Sequence, residues 1–328
     1  MHRRRRRHAE RLRVLGGRGT IDGIDRPDTC FGYRVGSEVP LRYLRRGGAL
    51  DESAPLVVRA TREPDPGPEG ALLREWLPTE LNPFHARLFV EDDRYRFWVD
   101  GAGSYRVDPA NATIEVPAEG DPLQREERMW GIPAVLCFQH RGDHSVHAAS
   151  IGIGGRALLF AAPGRFGKTT LATAFHGAGY DLLAEDSSCV RFEPEPVALP
   201  GPAMLRVRPD SYERLGVPDA EVLAARPDRV HLAIHEDRRA SGDPRALSGI
   251  VLLRRAEEGI RVERVPPEAA IQELWNVSLG VPTDEDRALR FERVARLAAA
   301  VPVWNLHRPL AYELLPDVIE AVVASCLP

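Results

Sequence analysis

The sequence predicts an α/β protein of two domains: a smaller, mainly antiparallel β domain, then an α/β domain built around a phosphate-type loop. Three observations predict it. The chain has 328 residues, about two domains at roughly 150 residues each. Near-alternating apolar residues separated by turn signals run from Phe31 to about Glu119, the pattern of strands with one wet face. From about residue 144 the period changes, and short apolar runs alternate with helical segments. The boundaries fall at 1–20 for an Arg-rich tail, 21–141 for the β domain and 142–328 for the α/β domain.

Composition narrows the function classes. Hydrophobic residues are 43% and charged residues 28%, an ordinary globular mixture that excludes global disorder, collagen-like repeats and a disulfide scaffold. A net charge of -4 argues against a nucleic-acid-binding polycation. No uncharged apolar run reaches about 18 residues, so a membrane span is not expected. The arginines at the start precede no apolar stretch, so a secretory signal is not expected either. Cys30, Cys137, Cys189 and Cys326 form no C-x-x-C pair, which disfavours structural zinc and fits a reduced, cytoplasmic setting. Of the 44 lysines and arginines, one alone is a lysine, Lys168.

Taken in order, Arg3 to Arg7 are like charges that resist packing, hence a solvated arm or, on the alternative reading, an arm that recruits an acidic partner. Ala86–Val90, Arg94–Val99, Ser104–Val107 and Thr113–Val116 read as a meander, with turns at 91–93, 101–103 and 109–111. Pro64 to Gly70 reads as a loop. Leu123 to His140 reads as a helix capped by Asp121 and interrupted at Pro133. This first domain carries no chemical motif. It either caps the core or recognises substrate by strand addition. In the second domain Val146–Ile153, Arg156–Ala161, Tyr180–Ala184, Val230–Ile234, Gly249–Leu253, Ile260–Val265 and Val301–Leu306 read as strands. Lys168–His176, Pro267–Val277, Asp284–Ala300 and Ala311–Ser325 read as helices, the third opened by a capping-box-like Thr283 and Asp286.

The segment Arg156 to Thr170 carries the chemistry. An apolar strand, Arg156–Ala161, leads through Ala162, Pro163, Gly164, Arg165 and Phe166 into Gly167-Lys168-Thr169-Thr170 and a helix. This is the Walker A pattern with Ala162 in the first glycine slot. Loop amides and a helix N-terminus make an anion cradle. Lys168 is placed to reach nucleotide phosphates and the Thr169 hydroxyl to ligate Mg²⁺.

Glu185 lies 17 residues after Lys168, next to Asp186, past the apolar Leu182, Leu183 and Ala184. Two acids at the carboxyl end of a buried strand stand where ligands sit in open α/β sheets. One can hold Mg²⁺, as Asp186 is expected to with Thr169, and the other can accept a proton from a hydroxyl. His147, just before the strand pair, is a candidate to steady a carboxylate or touch the γ-phosphate. Cys189 reads as a small core residue on the continuation of the acid strand. Arg206, Arg208 and Arg229 are candidates to hold an acidic group of the acceptor or nucleotide.

Val146-His147-Ala-Ala-Ser, Ala157-Leu-Leu-Phe, Gly164 to Ala172 and Gly179 to Asp186 together resemble the core of HPr kinase/phosphorylase and its HPr-kinase-like relatives. The order is a His, a strand, a Walker A loop, a helix ending at Gly and a strand ending in two acids. The close similarity spans Ser145 to Val190; the rest matches in layout. The resemblance implies a P-loop domain of the type related to phosphoenolpyruvate carboxykinase. It implies ATP- and Mg²⁺-dependent phosphorylation of a hydroxyl, usually Ser, on a protein or peptide. It assigns Lys168 and Thr169 to the phosphates and Mg²⁺, Glu185 and Asp186 to the acid pair, and His147 to the active-site histidine. Some relatives belong to gene clusters for ribosomally made peptides, including lasso peptides. The family is often oligomeric. Three departures stand out: Glu185 where the family has Asp, Arg165 where it has Gly or Ser, and a Pro-rich Val197–Met204 without the glycine-rich signature of phosphorylase activity. Neither that activity nor HPr as substrate is expected.

The expected function is therefore a Mg·ATP-dependent kinase acting on Ser or Thr of a peptide or small protein, with no nucleic-acid or membrane partner. Two alternatives stay open: a small-molecule hydroxyl kinase, and a nucleotide-binding regulatory module without kinase activity.

Overall fold

A computed structural model describes residues 20–21, 24–25, 27–50, 54–61, 70–79, 84–192, 194–281 and 283–327. The arginine run at 3–7 and most of the Pro64–Gly70 loop lie outside the described residues. The fold is mixed α/β with several sheets. The chain divides into two compact units, Met1–Arg141 and Gly142–Pro328.

The first unit holds a nine-stranded sheet. Its second half is an antiparallel meander of Ala71–Trp76, Ala86–Glu91, Arg94–Val99, Gly103–Asp108 and Thr113–Pro117. The sheet is not antiparallel throughout: Thr113–Pro117 pairs in parallel with Leu56–Thr61, which pairs in parallel with Tyr33–Ser37. Alternation decides the facing, with Ala86, Leu88, Phe97, Val99, Tyr105, Val107, Ile114 and Val116 buried. The expected single helix is two, Pro122–Met129 and Ile132–His140, separated at Trp130–Gly131. Asp121 caps the first by accepting from the amides of Leu123 and Gln124. Pro133 sits in the first turn of the second, where its missing N–H costs no hydrogen bond. The proline thus starts a helix instead of kinking one.

The second unit is built on a ten-stranded mixed sheet with helices on both faces. Arg156–Ala161 runs antiparallel to Ala148–Ile153, which runs antiparallel to Asp181–Ala184. Arg156–Ala161 is also parallel to Arg245–Arg255, which is parallel to Val303–Arg308. These four strands, Arg156–Ala161, Asp181–Ala184, Arg245–Arg255 and Val303–Arg308, therefore share one direction. Their carboxyl ends all reach the same edge of the sheet.

Both faces of this sheet are covered, which explains the unbroken apolar runs. Leu158 and Phe160 pack with Leu171, Phe175 and Val322 on one side. Ala157 and Leu159 pack with Leu274 and Leu297 on the other. A separate three-stranded sheet, Met204–Val207, Val230–Ile234 and Ala220–Ala225, joins the first layer. The expected strand Val146–Ile153 is two, His144–Val146 and Ala148–Ile153. They pair with different neighbours, and the amide of His147 between them donates to Val277 O at 2.7 Å. Cys189 lies on a separate strand, Ser188–Arg191, instead of continuing the acid strand, and it is buried.

Candidate functional site

The site follows from the shared strand direction. The loop after Ala161 and the acids after Ala184 leave the sheet at the same edge. The loop makes its turn with two left-handed residues, Arg165 at φ 64° and Gly167 at φ 80°. Gly167 precedes the helix Lys168–Gly177. By helix geometry the amides of its first turn have no intrahelical acceptor and carry the positive end of the dipole. Pro163, Gly164 and Arg165 are exposed, and Phe166 and Gly167 half-buried.

Lys168 is 7% exposed. Its ammonium donates to the carbonyls of Ala162 at 2.8 Å and Pro163 at 3.3 Å. Burial lowers it below the ordinary lysine value, against the opposing pull of Asp186 and Glu185. The Thr169 hydroxyl donates to Glu185 Oε1 at 2.8 Å. The Thr170 hydroxyl turns elsewhere, 3.3 Å from Ser211 Oγ, which is in turn 2.8 Å from the Tyr312 hydroxyl.

The two acids stand in different surroundings. Glu185 is 4% exposed, and burial raises its carboxyl above the usual range despite Arg206. The Asp186 side chain is 48% exposed. Partial burial pushes it up, but His147, Arg206 and Lys168 together outweigh that and hold it below the usual range. His147 Nε2 lies 3.5 Å from Asp186 Oδ1. Burial lowers the His147 imidazole, with Asp186 opposing. Lys168, Thr169, Glu185, Asp186 and His147 thus come together in one place.

Three arginines give the site features that no local motif announced. Arg206 does not wait for an outside acid: it donates to Glu185 Oε2 at 2.9 Å and lies 3.4 Å from Asp186 Oδ2. Arg308, 2% exposed, places Nη2 3.4 Å from the carbonyls of Phe166 and Gly167. Arg255 donates to Arg165 O at 2.8 Å and stacks on the Phe166 ring at 5.0 Å. Arg255 and Arg308 are register partners on adjacent parallel strands, so both reach the loop. The signal available in the sequence was their position at the ends of apolar strands.

These residues fit a phosphate group beside a hard cation. Lys168 spends two of its three donors on loop carbonyls, which leaves one for an anion. Thr169 and Asp186 offer hard oxygens. Among the described residues no cluster of three or more His, Cys, Asp or Glu forms a metal cage.

No family model matches the chain, and no curated protein matches it. Among solved structures it is similar to the HPr(Ser) kinase/phosphatase from Coxiella burnetii, at 13% sequence identity and a TM-score of 0.30. That match covers 55% of this chain and 93% of the other. A likeness at this level carries neither fold nor function across, so the functional reading rests on the site. Among the described residues no helix is long and apolar enough to cross a membrane.

Proposed function

We propose that this chain is a Mg·ATP-dependent phosphotransferase that delivers the γ-phosphoryl group to a Ser or Thr hydroxyl of a peptide or small protein. The observation that carries the reading is the hydrogen bond from Thr169 to Glu185 at 2.8 Å. It ties the start of the phosphate helix to the acid pair and brings an anion cradle beside two carboxylates. An anion cradle alone would suit any nucleotide binder. Carboxylates beside it add a base and a metal ligand.

Mg·ATP supplies an activated phosphoryl group whose developing charge a cation can neutralise. The chain's own residues do the rest. The first-turn amides and the Lys168 ammonium hold phosphate oxygens. Thr169 and Asp186 offer oxygens to Mg²⁺. A carboxylate of the pair takes the proton of the acceptor hydroxyl, and His147 steadies Asp186. Catalysis on this reading is positioning and electrostatics, with no covalent enzyme intermediate. Cys189, a nearby thiol in sequence, is buried and is not a nucleophile here. The remaining features of the reading, a P-loop domain of the HPr-kinase-like type preceded in the chain by a β domain that recognises substrate, belong to the same proposal.

The test is transfer from γ-labelled ATP to peptides and small proteins encoded beside this chain's gene. The expected product is a phosphomonoester, stable to mild acid, removed by phosphatase, with one added phosphate by intact mass. An acid-labile phospho-enzyme on the path would overturn direct transfer. Release of ADP and free phosphate alone, whatever acceptor is offered, would favour the regulatory module.

A further inference from the structure

Arg206, a candidate to hold an outside acidic group, instead contacts both acids of the chain itself. It lies on the short strand Met204–Val207, outside the main sheet. Its guanidinium spans both acids, with Nε 2.9 Å from Glu185 Oε2 and Nη2 3.4 Å from Asp186 Oδ2. A planar fork can serve two carboxylates at once, which a point charge cannot do with the same geometry.

The consequence differs for the two acids. Glu185 has one oxygen accepting from Thr169 and the other from Arg206, and it is 4% exposed. Both of its oxygens are engaged. Asp186 remains 48% exposed, with His147 3.5 Å from its other oxygen. Adjacent carboxylates repel, and the Arg206 guanidinium is the one of the neighbouring cations that bonds to both, alongside His147 and Lys168 near Asp186.

We infer that Arg206 is a positioning residue: it ties Glu185 to Thr169 of the phosphate helix and leaves Asp186 as the acid that meets the metal and the acceptor hydroxyl. This rests on the phosphotransferase reading. It also means that a bare divalent cation approaches Asp186 against the charge of Arg206. Removing that charge makes the site a better metal site and a worse-ordered catalytic one.

The experiment uses the full chain and two readouts. The first is Mn²⁺ binding without nucleotide, followed by electron paramagnetic resonance. Arg206→Gln should bind Mn²⁺ on the order of tenfold more tightly than wild type, from the loss of one like charge near a divalent ion in partly aqueous surroundings. The second is single-turnover hydrolysis of γ-labelled ATP with water as acceptor. Arg206→Gln should slow it at least about tenfold while the KM for ATP moves less than about threefold, because the nucleotide is held by the loop and only the reacting geometry is disturbed. Arg206→Lys keeps the charge and loses the fork. Its Mn²⁺ affinity should stay near wild type while its turnover falls, and it carries the test if Arg206→Gln does not fold. Unchanged or weaker Mn²⁺ binding by Arg206→Gln, or turnover equal to wild type in both variants, overturns the assignment. The phosphotransferase reading fails separately, if a folded Lys168→Ala turns over Mg·ATP at the wild-type rate. The metal-only measurement still judges Arg206 in that case.

Discussion

The Thr169 hydroxyl donates to Glu185 Oε1 at 2.8 Å, so the first turn of the helix Lys168–Gly177 and the end of the strand Asp181–Ala184 are tied together. Two elements that leave the sheet at the same edge are thereby fixed to each other before any ligand arrives. Thr169→Ser keeps the hydroxyl and should keep nucleotide turnover within a fewfold of wild type. Thr169→Val is nearly isosteric but cannot donate, and it leaves the buried Glu185 with one oxygen unpaired. An unpaired buried acceptor costs about 1–3 kcal/mol, so Thr169→Val should melt earlier as well as turn over more slowly. A Thr169→Val protein with the wild-type melting temperature would remove this bond from the account.

Lys168 is the lone lysine of the sequence, and its substitution is the most direct test of the loop. Lys168→Ala should reduce ATP turnover by at least about 10²-fold, the scale on which one electrostatic donor acts at a charged transition state. The fold should persist, since the ammonium is held by loop carbonyls and not by the core. Acylation gives an independent reading, because Lys168 and the chain's α-amino group are the only primary amines. Mg·ATP should protect Lys168 from acetic anhydride, as judged by peptide mass. Near-normal turnover by a folded Lys168→Ala would end the Walker A assignment.

Gly167 should tolerate no side chain. It sits at φ 80°, and a Cβ there would meet Arg308 Nη2 at 2.7 Å. The left-handed conformation alone costs an ordinary residue about 1–2 kcal/mol, and the buried Arg308 would have to shift as well. In a unit of this size that corresponds to a drop of roughly 2–8 °C in the melting transition. Gly167→Ala should show that drop together with weakened ATP binding, measured by calorimetry. Gly164, where a Cβ would meet nothing within 4 Å and φ is not positive, is the control. Gly164→Ala should leave the melting transition in place. A Gly167→Ala protein that melts like wild type would show that the loop is not braced from below by Arg308.

What could be read from the sequence is what local chemistry decides. Arg94–Val99 and Arg156–Ala161 have the bounds their apolar patterns set, and Thr283 accepts from the Asp286 amide as the cap predicts. Decisions made by distant partners were not visible. Val146–Ile153 looks continuous, but its two halves are claimed by different neighbours, and His147 is where the chain changes allegiance. Ala220–Ala225 is rich in helix formers and is nonetheless a strand, because Val230–Ile234 pairs with it. Arg245–Arg255 extends past its apolar middle on both sides, its charged ends carried by neighbouring strands. At the site, the residue types and spacing of Lys168, Thr169, Glu185 and Asp186 were legible. Of the arginines around them Arg206 was singled out, though for an outside acid and not for Glu185 and Asp186. Arg255 and Arg308 were not, since their place at the ends of apolar strands gains meaning only when those strands pair beside the loop.

His144 makes the stability of the second unit dependent on pH, and the sign can be worked out. It is 1% exposed, with Nε2 2.9 Å from Ser278 Oγ. Burial, reinforced by the nearby charges of Arg293 and Arg290, lowers its imidazole from 6.5 to about 3. Between those values the unfolded chain binds a proton at this residue and the folded chain does not. Unfolding therefore takes up a proton, and stability falls as pH drops from about 6.5 toward about 3. Above that window both states are neutral and the residue contributes no slope. The slope reaches about 1.4 kcal/mol per pH unit well below pH 6.5, so going from pH 7 to pH 5 costs about 2 kcal/mol from this group. His144→Asn keeps a hydrogen-bonding side chain toward Ser278 and cannot titrate. Urea denaturation of both proteins at pH 7 and pH 5 isolates the effect from all other groups. The wild type should lose about 2 kcal/mol more than the variant between the two conditions. Parallel losses would mean that His144 is protonated in the folded protein, and that water or a rearranged Ser278 reaches it.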